Sequence, residues 1–150
     1  MIKRIYFTTL LLVISSFAIA TESTISIKSQ YSTKETADRF VSIIKNRGLT
    51  LFARIDHKKN AINVDLKLRA TEVILFGNPK VGTLLMQCSQ EAALDLPQKV
   101  LIREDKNNKT WITYNSPEYI KNRYKIKGCD KILNKISKAL SSLTKAAASK

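Results

Sequence analysis

The sequence predicts a single α+β domain in which an antiparallel sheet is backed by helices. Its 150 residues are 44% hydrophobic and 25% charged, which is typical of one globular domain rather than of a disordered or coiled-coil chain. Strand-like and helix-like segments alternate along the chain. Two of the strand-like runs are separated by a short polar turn, a pattern typical of an antiparallel hairpin.

The first twenty residues predict a secretory signal peptide. Lys3 and Arg4 precede an apolar run, and the small-residue pattern Ala18-Ile19-Ala20 closes the segment. An uncleaved anchor is the alternative, but the apolar run is shorter than the span of about 20 residues that crosses a bilayer. We therefore expect a periplasmic or secreted protein in which residues 1–20 are removed and residues 21–150 form one domain.

The first part of the domain predicts two strands around a helix. Thr24–Lys28 and Leu49–Ile55 have strand-like patterns. Between them, Ser32 and Glu35 form a capping box that begins a helix, and Gly48 ends it. The apolar stripe of this helix consists of Ala37, Phe40, Val41 and Ile44.

The middle of the chain predicts a strand followed by a helix. Lys58–Leu68 is ambiguous between irregular structure and a short helix around Ala61–Val64, and we favour the helix. Thr71–Phe76 is a continuous apolar strand. Asn78 can cap a helix whose first position is Pro79, and this helix should reach about Ser89.

The last part predicts a hairpin and two helices. Val100–Glu104 and Thr110–Tyr114 flank the turn-forming residues 105–108. Ser116 and Pro117 begin a short helix by the same combination of cap and proline. The final helix extends from about residue 130 to residue 147, with its leucines and Ile136 on one face and most of its lysines away from that face.

The C-terminal helix is also strongly basic. Residues 121–150 contain nine Lys or Arg and one Asp, in a chain whose net charge is +14. A basic amphipathic helix can contact an anionic lipid or envelope surface weakly, but an α+β sheet also needs such an apolar stripe to cover one face. We favour core packing, and we expect no nucleic acid partner for an exported chain.

The two cysteines allow two interpretations. Export favours a disulfide between Cys88 and Cys129, which would close a loop of about 40 residues and stabilise the fold by about 4 kcal/mol. Alternatively, Cys88 is a buried thiol, because Val81, Leu84, Leu85 and Cys88 share one helical face. Neither cysteine has the spacing of a zinc site with the single histidine, so we expect no metal centre.

Several blocks of sequence resemble the bacterial domain-of-unknown-function family 302. They are LFARIDH, TEVILFGNPKVGTLLMQ, LDLPQKVLIRED, WITYNSPEYI and NRY. The resemblance implies an antiparallel sheet backed by helices, similar to one half of the TATA-binding protein fold, and a homodimer, but it brings no established activity. One departure is Tyr124 after Arg123, where many members of the family have His, so a histidine chemistry at that position is doubtful here.

The first candidate site lies at the end of the second strand. Asp56 and His57 are adjacent, and Arg54 shares a strand face with Asp56. His57 could act as an acid-base catalyst or bind a metal or haem iron. Because neighbours in a strand point to opposite faces, Asp56 cannot easily orient His57, and we favour a structural role for these side chains.

The second candidate site is the turn before the third helix. Its two glycines have the spacing of a phosphate-binding loop, but Thr83 and Leu84 replace the Lys-Ser/Thr pair, and Pro79 lacks an N–H donor. Asn78, Lys80 and the helix N-terminus could still hold a small anionic ligand. The alternative is that Asn78 and Pro79 only form a turn and a cap.

The third candidate is the pair Tyr114 and Asn115 at the end of a strand. Trp111 and Tyr119 lie nearby, and we assign these two aromatic side chains to the core or to a dimer interface rather than to a stacking platform. Together the candidates favour an exported, non-catalytic and dimeric binding module with an unknown ligand or cofactor. The alternative is a small periplasmic enzyme that uses His57.

Overall fold

The computed structural model describes residues 23–150, so the predicted signal peptide lies outside the described residues. Five antiparallel strands form one sheet in the order β1-β5-β4-β3-β2. The strands are β1 (Thr24–Lys28), β2 (Thr50–Asp56), β3 (Thr71–Gly77), β4 (Gln98–Glu104) and β5 (Thr110–Asn115). The predicted α+β class is confirmed.

Five α-helices accompany the sheet. They are α1 (Thr33–Asn46), α2 (His57–Ile62), α3 (Pro79–Cys88), α4 (Pro117–Arg123) and α5 (Asp130–Ala148). A 3-10 helix at Gln90–Asp95, which the sequence analysis does not predict, connects α3 to β4. Within residues 23–150, no helix is both long enough and apolar enough to span a membrane.

The core lies between one face of the sheet and the helices α1 and α5. Strand register places Ile74, Val100 and Tyr114 side by side on this face, as the period of two in a strand requires. Phe40 of α1 packs edge-to-face on Phe76, with ring centroids 4.9 Å apart. The apolar stripe of α5 is buried here, as its predicted core role requires; the buried leucines are Leu133, Leu140 and Leu143.

Helix α1 has the predicted capping box and is also tied to the end of α5. The Ser32 hydroxyl accepts a hydrogen bond from the Glu35 amide at 3.3 Å, and the Ser32 amide donates to the Glu35 carboxylate at 3.1 Å. The Arg39 guanidinium donates to the carbonyl oxygens of Ala146, Ala147 and Ser149. A cation at these last carbonyls also offsets the negative end of the helix dipole.

Helix α2 begins earlier than the sequence predicts. We expected a short helix around Ala61–Val64, but the helix extends from His57 to Ile62. The Asp56 carboxylate accepts a hydrogen bond from the Lys59 amide at 2.9 Å, so the helix starts directly after β2. The residues that follow, up to β3, contain no regular element.

The predicted buried face of α3 is wrong. Leu85 is the buried residue of this helix, whereas Leu84 is 40% exposed and Cys88 is exposed. Cys88 lies at the end of α3 and is joined by a disulfide to Cys129, with Cα atoms 6.4 Å apart. The bridge therefore links α3 to the start of α5, and it excludes the interpretation of Cys88 as a buried thiol.

We expect the Cys88–Cys129 bridge to stabilise the fold by restricting the unfolded chain. Replacing both cysteines by alanine should lower the free energy of unfolding by about 4 kcal/mol, as loop-closure entropy predicts for a separation of 41 residues. Urea unfolding of the variant and of the wild type with and without dithiothreitol measures this loss. Equal stability of oxidised and reduced wild type would contradict the prediction.

The turn between β4 and β5 should contribute stability that is lost in acid. The Asp105 carboxylate accepts hydrogen bonds from the amides of Asn107 and Lys109 and from the Trp111 indole. The Lys109 amide and then the Trp111 indole lower the pKa of Asp105 from its ordinary value of 3.8. The stabilisation is therefore fully present above about pH 3.8 and is lost as the pH falls through the lower folded-state pKa.

Asp105→Asn should accordingly lower the melting temperature at pH 7. The melting temperature of the variant should also fall less than that of the wild type when the pH is lowered below about 4. Thermal unfolding at pH 7 and at low pH tests this, with Asp65→Asn, at an exposed position, as the matched control. An equal decrease in melting temperature for both variants would show that the Asp105 hydrogen bonds do not stabilise the fold.

Candidate ligand-binding site

A pocket of about 240 Å³ opens at the end of the sheet where β3 ends and β4 begins. Helices α3 and α5 form two of its walls, and the segment between the 3-10 helix and β4 forms a third. The lining is mostly apolar: Leu49, Phe52, Phe76, Gly77, Pro79, Val81, Gly82, Leu96, Pro97, Ile136, Ala139, Leu140 and Leu143, together with Asn78, Gln98 and Lys135.

Gln98 is the distinctive polar residue of this pocket. Its side-chain nitrogen is buried and has no hydrogen-bond partner within residues 23–150. A buried amide that has lost its water without gaining a partner costs about 1–3 kcal/mol. Because this nitrogen is covered by surrounding protein atoms, a ligand in the pocket could accept a hydrogen bond from it only after the Gln98 side chain turns towards the cavity.

Irregular backbone geometry occurs at two places along the pocket. A register shift between Leu51 and Ala53 interrupts the pairing of β2 with β3 at Phe52. The Phe52 ring lies beside Gly77, where a Cβ built on this glycine would make an ordinary van der Waals contact with the ring at 3.8 Å. On the opposite wall, the Leu96–Pro97 peptide is cis, and Gln98 follows it as the first residue of β4.

Asn78 lines the pocket, but its side chain is used in capping α3. Its carbonyl oxygen accepts hydrogen bonds from the amides of Lys80 and Val81 at 3.0 and 3.3 Å. These amides are the donors that the sequence analysis assigned to an anion. Lys80 is exposed and does not line the pocket, whereas Lys135 of α5, which the sequence analysis does not select, does.

Arg54 and Asp56 lie in a separate charged groove at the other end of the sheet. The Arg54 guanidinium donates to the buried Glu72 and to Asp38, both at 2.6 Å. These bonds, that to Glu72 foremost, raise the pKa of Arg54. Bonds from Lys34 and then Arg54 lower the pKa of Asp38, so this cluster is a network of satisfied ion pairs.

His57 is exposed as the first residue of α2. The Asp56 carboxylate caps this helix through the Lys59 amide rather than facing the imidazole. Within residues 23–150, no three His, Cys, Asp or Glu side chains lie close enough together to hold a metal ion. Among these residues the structure therefore shows no cluster of metal ligands that includes His57.

Tyr114 and Asn115 lie apart from the pocket. Tyr114 is 4% exposed on the helix-covered face of the sheet, and burial raises the pKa of its phenol. Asn115 is the last residue of β5 and pairs with Thr24. At the position where the family resemblance predicts His, the Tyr124 hydroxyl donates to the Asp95 carboxylate at 2.7 Å.

Sequence reasoning misses the residues that distinguish the pocket, namely Gln98, Phe52 and Lys135. Gln98 is part of the LDLPQK segment, which carried the family resemblance but no functional hypothesis. A glutamine placed directly after Leu-Pro at the start of an apolar strand is a signal that could have been noticed. Phe52 depends on a local shift of strand register, for which the sequence contains no such signal.

Similarity to characterised proteins covers part of their length. A fluoride-specific ion channel of Brucella suis is 38% identical over 102 residues, which are 68% of this chain and 40% of the channel. A second such channel, from Brucella abortus, is also 38% identical over 102 residues, which are 38% of its length. The chain thus spans about two fifths of these relatives.

A solved structure has the same fold. The crystal structure of an uncharacterised conserved protein from Bacillus stearothermophilus matches with a TM-score of 0.77 and 15% identity, over 85% of this chain and 99% of the other. The family model of the domain of unknown function DUF302 matches residues 25–143. The chain therefore belongs to the DUF302 family.

Proposed function

We propose that this chain is an exported, non-catalytic binding module that holds a small ligand in the pocket beside β3. The observation that carries the proposal is the unpartnered, buried Gln98 amide in a pocket with apolar walls. Ligand sites commonly combine an apolar lining with a few polar groups that fix orientation. Export rests on the signal-peptide pattern of residues 1–20.

The lining indicates the chemical class of the ligand. After its side chain turns towards the cavity, the Gln98 amide would donate a hydrogen bond to the ligand, and Lys135 would add a positive charge. Aromatic and aliphatic side chains form the remaining surface, so the ligand should have an apolar body and an anionic or acceptor group. The pocket is smaller than the range of about 300–1,000 Å³ that holds drug-sized ligands, and this favours a small carboxylate.

Binding is favoured over catalysis by the residues that line the pocket. Its polar side chains are Asn78, Gln98 and Lys135, and Asn78 is committed to capping α3. A small periplasmic enzyme using His57 as acid-base catalyst or as metal or haem ligand remains the alternative. It is less favoured because His57 is exposed and lies outside the pocket.

The ion-channel relatives do not extend this proposal to transport. Their shared 102 residues are 40% or less of each channel's length. A match to a minor part of a protein does not carry over that protein's activity. The apolar stripe of α5 is buried, so a lipid contact through this helix would depend on its exposed lysines alone.

We also propose that the module acts as a homodimer, as the family resemblance implies. The sheet face opposite α1 and α5 has half-buried apolar side chains, among them Val73, Leu75 and Leu101. An apolar sheet face is stabilised when another surface covers it. A second copy of the chain could supply that surface through its own equivalent face, in a two-fold arrangement.

The ligand proposal predicts that Gln98→Leu weakens binding of benzoate but not of toluene. Toluene has the same ring without the carboxylate, so it isolates the contribution of the Gln98 donor. Losing a hydrogen bond to a charged group should weaken benzoate binding about tenfold or more. Two-dimensional NMR titrations measure both affinities, and Ala139→Phe, which should fill the pocket, should reduce binding of both probes.

Two controls sharpen this test. Gln98→Leu should stabilise the ligand-free protein by about 1–3 kcal/mol, because it removes the unpaired amide. Gln87→Leu makes the same change at an exposed position of α3 and should affect neither affinity. Benzoate binding that Gln98→Leu leaves unchanged, or that perturbs no pocket residue in the wild type, would refute the proposed function.

The dimer proposal predicts that Leu101→Glu shifts the chain from dimer to monomer. The substitution places a charge in the middle of the uncovered sheet face, where a second copy would bury it at high cost. Sedimentation velocity measures the change, and Leu94→Glu, at a position 72% exposed in the 3-10 helix, is the control. A monomeric wild type would exclude the dimer.

A further inference from the structure

The connection between α2 and β3 carries an unusual concentration of exposed apolar side chains. Residues 62–68, here called the apolar loop, contain Ile62, Val64, Leu66 and Leu68, which are between 45% and 65% exposed. They are four of the seven large hydrophobic residues that are exposed within residues 23–150. Exposed apolar side chains that are concentrated in this way in one short segment are a feature of interaction sites.

The backbone of the apolar loop has a defined conformation. The Leu66 amide donates to the carbonyl of Ala61 at 2.9 Å, and the Asp65 amide donates to the carbonyl of Ile62 at 3.1 Å. Asp65 is in the left-handed region, with a φ of 58°, which ends the helical path after α2. These bonds hold a turn whose apolar side chains are exposed rather than folded onto the core.

Basic side chains surround this turn. Lys58, Lys59, Lys67 and Arg69 are exposed within residues 57–69, where Asp65 is the one acidic residue. The β4–β5 turn lies at the same end of the sheet, because the Arg69 guanidinium donates to the Glu104 carbonyl. That turn adds Lys106 and Lys109, and its Asp105 carboxylate is engaged by three hydrogen bonds.

We propose that the apolar loop docks this protein on an anionic lipid surface. Apolar side chains inserted at the membrane interface, together with Lys and Arg that attract anionic headgroups, are the combination that binds peripheral proteins to such surfaces. Charge complementarity selects this partner, since the loop is basic and the lipid surface is negative. Specific protein interfaces bury about 1,200 Å² or more, which a single turn with four apolar side chains does not readily provide.

The position of the loop leaves the pocket accessible. The apolar loop follows the end of β2 and precedes the start of β3, whereas the pocket lies where β3 ends and β4 begins. Docking at one end of the sheet therefore orients the pocket away from the lipid. The inference does not depend on what the pocket binds.

The test is vesicle co-sedimentation of the wild type and three variants, each in two lengths. Vesicles of equal parts phosphatidylglycerol and phosphatidylcholine are compared with vesicles of phosphatidylcholine alone, at low and high salt. The variants are Ile62→Ser with Leu66→Ser, Lys58→Gln with Lys59→Gln, and Leu94→Ser as an equally exposed apolar control. Each is made in the full chain and in residues 23–150, which contain every strand and helix described and lack the apolar N-terminal segment.

We expect the wild type to bind the anionic vesicles, with weaker binding at high salt. Both loop variants should weaken the partition coefficient about tenfold, the first through lost apolar burial and the second through lost charge, while Leu94→Ser should leave it unchanged. Absent wild-type binding, or equal binding by all chains, overturns the proposal. Loop variants that change the sedimentation coefficient of the protein without changing vesicle binding would also overturn it, because they would assign the loop to a protein interface.

Discussion

The packing of α5 on the sheet is the interaction on which the rest of the structure depends. One face of this helix completes the core, with Leu140 and Leu143 almost fully buried, and each such side chain contributes about 1.5–3 kcal/mol. The neighbouring turns of the helix, with Lys135 and Ala139, form a wall of the pocket. Because Arg39 of α1 binds the last carbonyls of α5, the two covering helices are held together at that end. The same helix therefore supports both the fold and the candidate site.

The candidate site and the charged groove illustrate opposite solutions to the burial of polar groups. In the groove, the charged groups of Arg54 and Glu72 each have a partner at short distance. These groups therefore form ion pairs within the fold. In the pocket, the Gln98 side-chain nitrogen is buried and has no hydrogen-bond partner within residues 23–150. Buried polar groups in folded proteins are nearly all hydrogen-bonded, so the unsatisfied nitrogen is the observation on which the proposed ligand site rests. This contrast is the reason for placing the site beside β3 rather than at Arg54.

Most of the fold could be predicted from local sequence signals, but the site could not. The capping box at Ser32, the Asn78-Pro79 helix start and the polar turn around Asp105 act over a few residues, and the structure has each of them. Helical periodicity places Cys88 on one face with the buried Leu85, yet tertiary contacts decide which side of α3 meets the core. The pocket joins Phe52, Gln98 and Lys135, which are far apart in sequence. Their proximity depends on the register of β2 and on the path of the chain after the 3-10 helix, which no local pattern specifies.

The disulfide has a consequence for the pocket as well as for stability. Cys88 is the last residue of α3, and Cys129 immediately precedes α5. Residues of both helices line the pocket. The covalent bond therefore limits how far the walls can separate, so that the cavity keeps its width when side chains fluctuate. Thiols remain reduced in the cytosol and are oxidised outside it. With the disulfide formed, the chain has a covalently restrained cavity, whereas the reduced chain would have walls joined by packing alone.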